Sequence, residues 1–101
     1  MKRGNAAEIK IVKMLRLGQE DKNQTYACEV VSYDIKRAIL CLVLKSGELT
    51  DISLDSIWEC KIYAEQEGLE CTGRIRERYC GIEGKTLLLK VENGFYKINT
   101  K

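Results

Sequence analysis

The chain predicts a mainly β protein, a single antiparallel barrel or split barrel of six or seven strands, each about five to ten residues long. Three observations carry this. From Thr25 almost to the C-terminus, Val, Ile, Leu, Tyr and Thr alternate with polar residues at period 2, which sends successive side chains to opposite faces of a sheet. Gly, Asn and Asp interrupt these runs at short intervals, as tight turns require. Proline is absent, so no strand lacks a ladder donor. The 101 residues, 45% apolar and 32% charged, supply one ordered core with no room for a second, so residues 1–101 read as one small domain.

The first element is ambiguous. Asn5 followed by Glu8 could cap a helix, but Ile9, Ile11, Leu15 and Leu17 share one parity, broken only by Lys13. A strand over 8–17 is the favoured reading, and a short amphipathic N-terminal helix packed on the barrel is the alternative. The polar cluster Gly18-Gln19-Glu20-Asp21-Lys22-Asn23 then reads as a loop. The run 25–33 places Tyr26, Cys28 and Val30 on one side, and Asp34-Ile35-Lys36-Arg37 turns the chain into 38–44. That run is almost wholly apolar, as expected of a strand buried on both faces or central to the core. After Ser46-Gly47, strands are expected over 49–54 and over 57–64, the latter with Trp58, Cys60 and Ile62 facing inward. A turn at Glu65-Gln66-Glu67-Gly68 precedes a long strand over 69–79, and Gly81-Ile82-Glu83-Gly84-Lys85 closes its hairpin with 86–91. Glu92-Asn93-Gly94 predicts a last hairpin to 95–98, since Asn-Gly suits a two-residue turn. Closure would remove unpaired sheet edges.

Composition excludes much. A net charge of +2 argues against binding dominated by bulk attraction to nucleic acid. There is no histidine, hence neither the commonest general base nor the commonest metal ligand. Five cysteines, Cys28, Cys41, Cys60, Cys71 and Cys80, show no CxxC spacing and read as reduced core or near-core thiols of a cytoplasmic protein rather than a metal site. Glu8, Lys10, Lys13 and Arg16 interrupt the N-terminal segment, so neither a signal peptide nor a membrane span is expected. No Ser–His or Cys–His arrangement, Gly-rich phosphate loop or paired-carboxylate spacing stands out, so the chain reads as no enzyme and implies no cofactor.

The sharpest polar feature is Arg74, Arg76 and Arg78. On a regular strand all three share one face with Thr72, about 6–7 Å apart, while Cys71, Ile75 and Tyr79 point to the core. Such a ladder suits phosphates or a partner's carboxylates; equally, it suits a solvated face paired with Glu59 or Glu92. A second feature, Asp51-Ile52-Ser53-Leu54-Asp55-Ser56, puts Asp51 and Ser53 on one face and Ile52 and Leu54 inward. Its short polar side chains suit a ligand edge or, more commonly, the backbone of a turn. The spread of Tyr26, Tyr33, Tyr63, Tyr79, Phe95 and Tyr96 over different strands favours core filling over base stacking, and Trp58 reads as core.

The strand order, Asp51-Ile52-Ser53 at a strand exit and the Arg-rich polar positions resemble the bacterial PilZ group of small split β-barrels. The stretch from Gly18 through Leu44, with Tyr26, Val30 and Leu40-Cys41-Leu42-Val43-Leu44, is similar to the N-terminal barrel that precedes PilZ in flagellar-brake proteins. PilZ domains bind cyclic di-GMP through RxxxR before the first strand and [D/N]xSxxG within the barrel. Asp51 and Ser53 match the latter, but Ser56 replaces its Gly. Arg3 and Arg16 lack the RxxxR spacing, whereas Arg74 and Arg78 have it in reversed order. The resemblance implies a module that has lost the nucleotide or a protein-contact barrel of the flagellar-brake type. The expected function is thus a non-enzymatic regulatory or interaction module of a bacterial cytoplasm, with Arg74, Arg76 and Arg78 as its contact surface for a protein partner. Cyclic di-GMP binding by Arg74 and Arg78 with Asp51 and Ser53 is the second expectation, and an SH3-like or OB-like nucleic-acid-binding barrel the third. A homodimer through an open edge fits any of them.

Overall fold

A computed structural model describes residues 1–14 and 24–98. The loop expected over 18–23 and the end of the first expected strand, 15–17, lie outside the described residues. The strands are β1 (Ala6–Met14), β2 (Thr25–Asp34), β3 (Ile39–Leu44), β4 (Ser56–Tyr63), β5 (Gly68–Gly81), β6 (Gly84–Val91) and β7 (Tyr96–Ile98). All pairings are antiparallel. The order β4-β1-β2-β3-β6-β5 closes on itself through a β4–β5 ladder, giving a six-stranded barrel, and β7 adds to β5. The N-terminal segment is therefore a strand, as its apolar parity requires. The mainly β antiparallel barrel read from the alternation is the fold.

One face of each strand fills the interior: Ala7 and Ile9, Tyr26, Cys28 and Val30, Leu40, Leu42 and Leu44, Trp58, Cys60 and Ile62, Cys71 and Ile75, Leu87, Leu89 and Val91. Each such Leu or Ile contributes about 1.5–3 kcal/mol relative to its exposed state. Trp58, fully buried, lies edge-to-face with Tyr26 at 6.1 Å and donates its Nε1–H to the Ser53 carbonyl at 2.9 Å. Closure of so small a barrel needs local bending, and β-bulges supply it between Ile11 and Lys13, between Val30 and Ser32, and between Ile75 and Glu77.

Several expected elements differ. The segment 49–54 is not a strand. Leu49–Asp51 forms a single 3-10 turn, Ile52 plugs the barrel, and Leu54 is exposed rather than inward, because the segment spans the barrel's end without a strand partner. The Asn93-Gly94 pair makes no hairpin. Both β6 and β7 run along the same edge of β5, from Gly81↔Gly84 to Gly73↔Val91 and then from Glu70↔Tyr96 to Gly68↔Ile98. The intervening residues Glu92–Phe95 form a bow, four residues opposite Cys71 and Thr72; Gly94 takes φ +70°, and Glu92 N–H still reaches Thr72 O at 2.9 Å. Asn-Gly here loosens one line of strand instead of reversing it. Ring contact between Tyr33 and Phe95, centroids 4.8 Å apart, anchors the bow on β2. Finally, β3 is not buried on both faces: its inner face is core, while Ile39 and Cys41 on the outer face stay half-exposed.

The end-spanning segment is held by cations from β5 and β6. Arg78 donates from Nη1 to the Leu49 carbonyl at 2.9 Å and to that of Ile52, and Lys85 Nζ meets Glu48 at 2.9 Å and Gly47 O at 3.1 Å. Arg78→Ala leaves both carbonyls without this donor and should lower stability by about 1–2 kcal/mol, read as an earlier urea midpoint. Arg78→Lys recovers only part of it, since the shorter, flexible Lys chain does not hold its ammonium where the planar guanidinium places Nη1 between the two carbonyls.

Candidate interaction surface

The bulge at Arg76 breaks the expected arginine ladder. Arg74 stands opposite Lys90 and Ile75 opposite Leu89, but after the extra residue Glu77 faces Leu88 and Arg78 faces Leu87. Directly opposed residues share a face, and Leu87 and Leu89 are both core, so Arg78 is on the inner side with Ile75 while Arg74 stays outside. Tyr79, now opposite Thr86, is exposed instead of buried. The three arginines do three different things. Arg74 Nε lies 3.4 Å from the Glu92 carboxylate, the cross-strand pairing foreseen for a solvated face. Arg78 secures the barrel end. Arg76, the bulged residue, is exposed and makes no ion pair or hydrogen bond among the described residues.

Asp51 and Ser53 serve their own loop. Asp51 Oδ2 accepts the Glu48 N–H at 2.9 Å, and Ser53 Oγ accepts the Asp55 N–H at 3.0 Å and the Ser56 hydroxyl at 3.1 Å. This is the turn role of short polar side chains. Arg78 joins this segment through its carbonyls, whereas Arg74 and Arg76 stand on the outer face, so the five residues do not form one site. Burial, with a smaller contribution from the Asp51 charge, raises the Tyr26 phenol above its usual range.

What sequence reasoning missed is a groove of about 710 Å³ on the outer face of β2-β3-β6-β5. Its floor is Ile39, Cys41 and Leu88, the outward side chains of two adjacent apolar strands. Ser32, Asp34 and Arg37 form one wall, Arg76 and Glu77 the other, and Lys90 lies at one end. Both walls stand on bulged strands, which explains the concavity: an extra residue in β2 and another in β5 re-aim the side chains beyond them. A signal existed in β2. The inward parity Tyr26, Cys28, Val30 resumes at Tyr33, which packs on the core, so one residue must be extra. No comparable apolar signal marks Arg76, because the residues after it are polar or exposed.

All five cysteines are free. Cys60 and Cys71 are direct cross-strand partners, both fully buried. The hydrogen bond from Cys71 and burial raise the Cys60 thiol, and burial pushes Cys28 up to about 12. Cys80 is exposed rather than near-core, because β5 leaves the core beyond Ile75. Ellman's reagent should therefore titrate Cys80 first and Cys41 slowly, with Cys28, Cys60 and Cys71 reacting only on unfolding. The native Cys28 pKa lies above its unfolded value, so the native state holds a proton that the unfolded state releases. Its contribution is complete below about pH 9 and is lost as pH rises towards about 12; urea midpoints should fall across that window. Cys28→Ala should flatten the fall.

Among the described residues no group of three or more His, Cys, Asp or Glu side chains is placed to hold a metal ion, and no helix is long and apolar enough to cross a membrane. No protein-family model, no curated protein and no solved structure matches the chain.

Proposed function

We propose that this barrel is a non-enzymatic, PilZ-like regulatory or protein-interaction module of a bacterial cytoplasm, and that it engages its partner through the outer groove of β2-β3-β6-β5. The observation that carries the reading is the groove itself: an open, concave sheet face with an apolar floor and, on its wall, the Arg76 guanidinium, unpaired among the described residues. Exposed apolar area rimmed by polar groups is the usual make-up of a protein-binding patch. The likeness to PilZ-type barrels adds the regulatory and bacterial parts of the reading. Of the residues singled out for cyclic di-GMP, Arg78 is spent on carbonyls and Asp51 and Ser53 on turns, which speaks against that ligand. Calorimetric titration with cyclic di-GMP should give no heat.

The decisive experiment uses a partner identified by affinity purification and rebound as a pure component. Leu88→Lys, in the groove floor, should weaken it by at least ~tenfold, or about 1.4 kcal/mol. Lys61→Glu, on β4 outside the groove, should leave it unchanged. Equal binding by both variants, heat from cyclic di-GMP, or oligonucleotide binding with a steep salt dependence would overturn the reading.

A further inference from the structure

Resting on that reading of the groove, we infer that its occupant is an acidic, extended segment of a partner protein. The segment's carboxylates meet Arg76 and Arg37, and an adjoining apolar side chain lies on Ile39, Cys41 and Leu88.

The charge balance of the groove carries this. Arg37 from the β2–β3 turn, Arg76 from the β5 bulge and Lys90 from β6 line one cavity, and Lys90 Nζ donates to the Arg37 backbone carbonyl, tying the ammonium to that turn. The lining holds three cations, Arg37, Arg76 and Lys90, against two acids, Asp34 and Glu77. Asp34 Oδ1 accepts from the N–H groups of Lys36 and Arg37 at 3.0 and 3.2 Å, and its other oxygen pairs with Arg37 through Nε alone, at 3.8 Å. The Arg37 side chain is 82% exposed, and Arg76 has no ion-pair or hydrogen-bond partner among the described residues. Glu92 is engaged by Arg74. Arg76, and the Nη edge of Arg37, which meets Asp34 only through Nε, thus stand ready for the bidentate contacts that carboxylates make best.

Glu77, opposite Leu88, limits the pattern. A run of acids continued past the floor would meet its charge, so the segment is acidic at the Arg37–Arg76 end and apolar, then neutral or basic, beyond it. An oligonucleotide fits less well. No aromatic ring lines the groove to stack a base, and Tyr33 and Phe95 are occupied with each other.

The test is fluorescence anisotropy on the intact chain with three short labelled peptides. The first carries an Asp/Glu cluster beside a Leu-Phe pair and then a Lys; the second replaces the acids with Gln; the third replaces Leu-Phe with Ser. The first should bind at least ~tenfold tighter than the others and weaken by at least ~tenfold with Arg76→Glu, while Arg76→Lys recovers most of the affinity. Raising salt from about 0.1 M to about 0.5 M should weaken it several-fold. Equal binding of the acidic and Gln peptides, indifference to Arg76→Glu, or no binding of the first would overturn the acidic occupant. If the purified partner still loses affinity with Leu88→Lys but ignores Arg76→Glu and salt, the acidic occupant fails and the docking groove stands. Indifference to both variants removes the groove as well.

Discussion

Gly73→Ala should unfold the barrel or reduce its stability by at least ~3 kcal/mol. Gly73 is where β5 passes from its ladder with β4 to its ladder with β6: it pairs with Trp58 on one side and Val91 on the other. A methyl group at this position would lie 1.9 Å from the Lys90 carbonyl oxygen, 2.8 Å from its carbon and 3.1 Å from Val91 Cα. All three are backbone atoms, so no rotamer change relieves the overlap, and β6 would have to move away from β5 at the seam where the sheet curls. A glycine where two backbones approach closely has this role in bent sheets. Urea unfolding followed by Trp58 fluorescence reads the loss. Gly4→Ala is the contrast, since nothing lies within 4 Å of the added group, although φ +93° still makes it unfavourable. A midpoint for Gly73→Ala equal to that of the parent chain would contradict the close approach of β5 and β6.

Trp58→Ala should cost about 3–5 kcal/mol. The indole is fully buried, meets the Tyr26 ring edge-to-face, and its N–H satisfies the Ser53 carbonyl in the segment that closes the barrel end. Removing it empties the interior and releases that segment together. Trp58→Phe keeps most of the volume and loses the hydrogen bond, so a cost of about 1–3 kcal/mol is expected, with Ser53 O left without its indole partner. Circular dichroism against urea measures both. A Phe variant as unstable as the Ala variant would mean that the Ser53 contact, not the ring's bulk, dominates.

Strand existence was legible because burial of one face imposes period 2, and β1 to β6 each display it in Ile, Leu, Val, Tyr, Trp or Cys. The turn at Asp34-Ile35-Lys36-Arg37 was legible because Asp34 accepts the following N–H groups, a local interaction between near neighbours. Asn93-Gly94 misled because its left-handed glycine serves a hairpin and a bow in one strand equally well; which of the two forms depends on whether residues 96–98 find β6 or β5. Ile52 and Leu54 are apolar at the two-residue spacing of a strand, yet the segment has no free sheet edge to join and turns to cover the barrel end, with Ile52 buried and Leu54 exposed.

The candidate site was less legible. Arg74, Arg76 and Arg78 share a face on a regular strand, and a single extra residue moved Arg78 to the inner side and left Arg76, of the three, on the groove wall with Glu77. The sequence by itself determined that the chain forms antiparallel strands with one apolar face each, because that choice rests on local alternation and on the cost of exposing apolar side chains. Where the extra residues fall, and so which polar side chains stand together, only the closed barrel decided. Six strands can meet around one core only if β1, β2 and β5 bend, and the positions of those bends follow from partners distant in sequence.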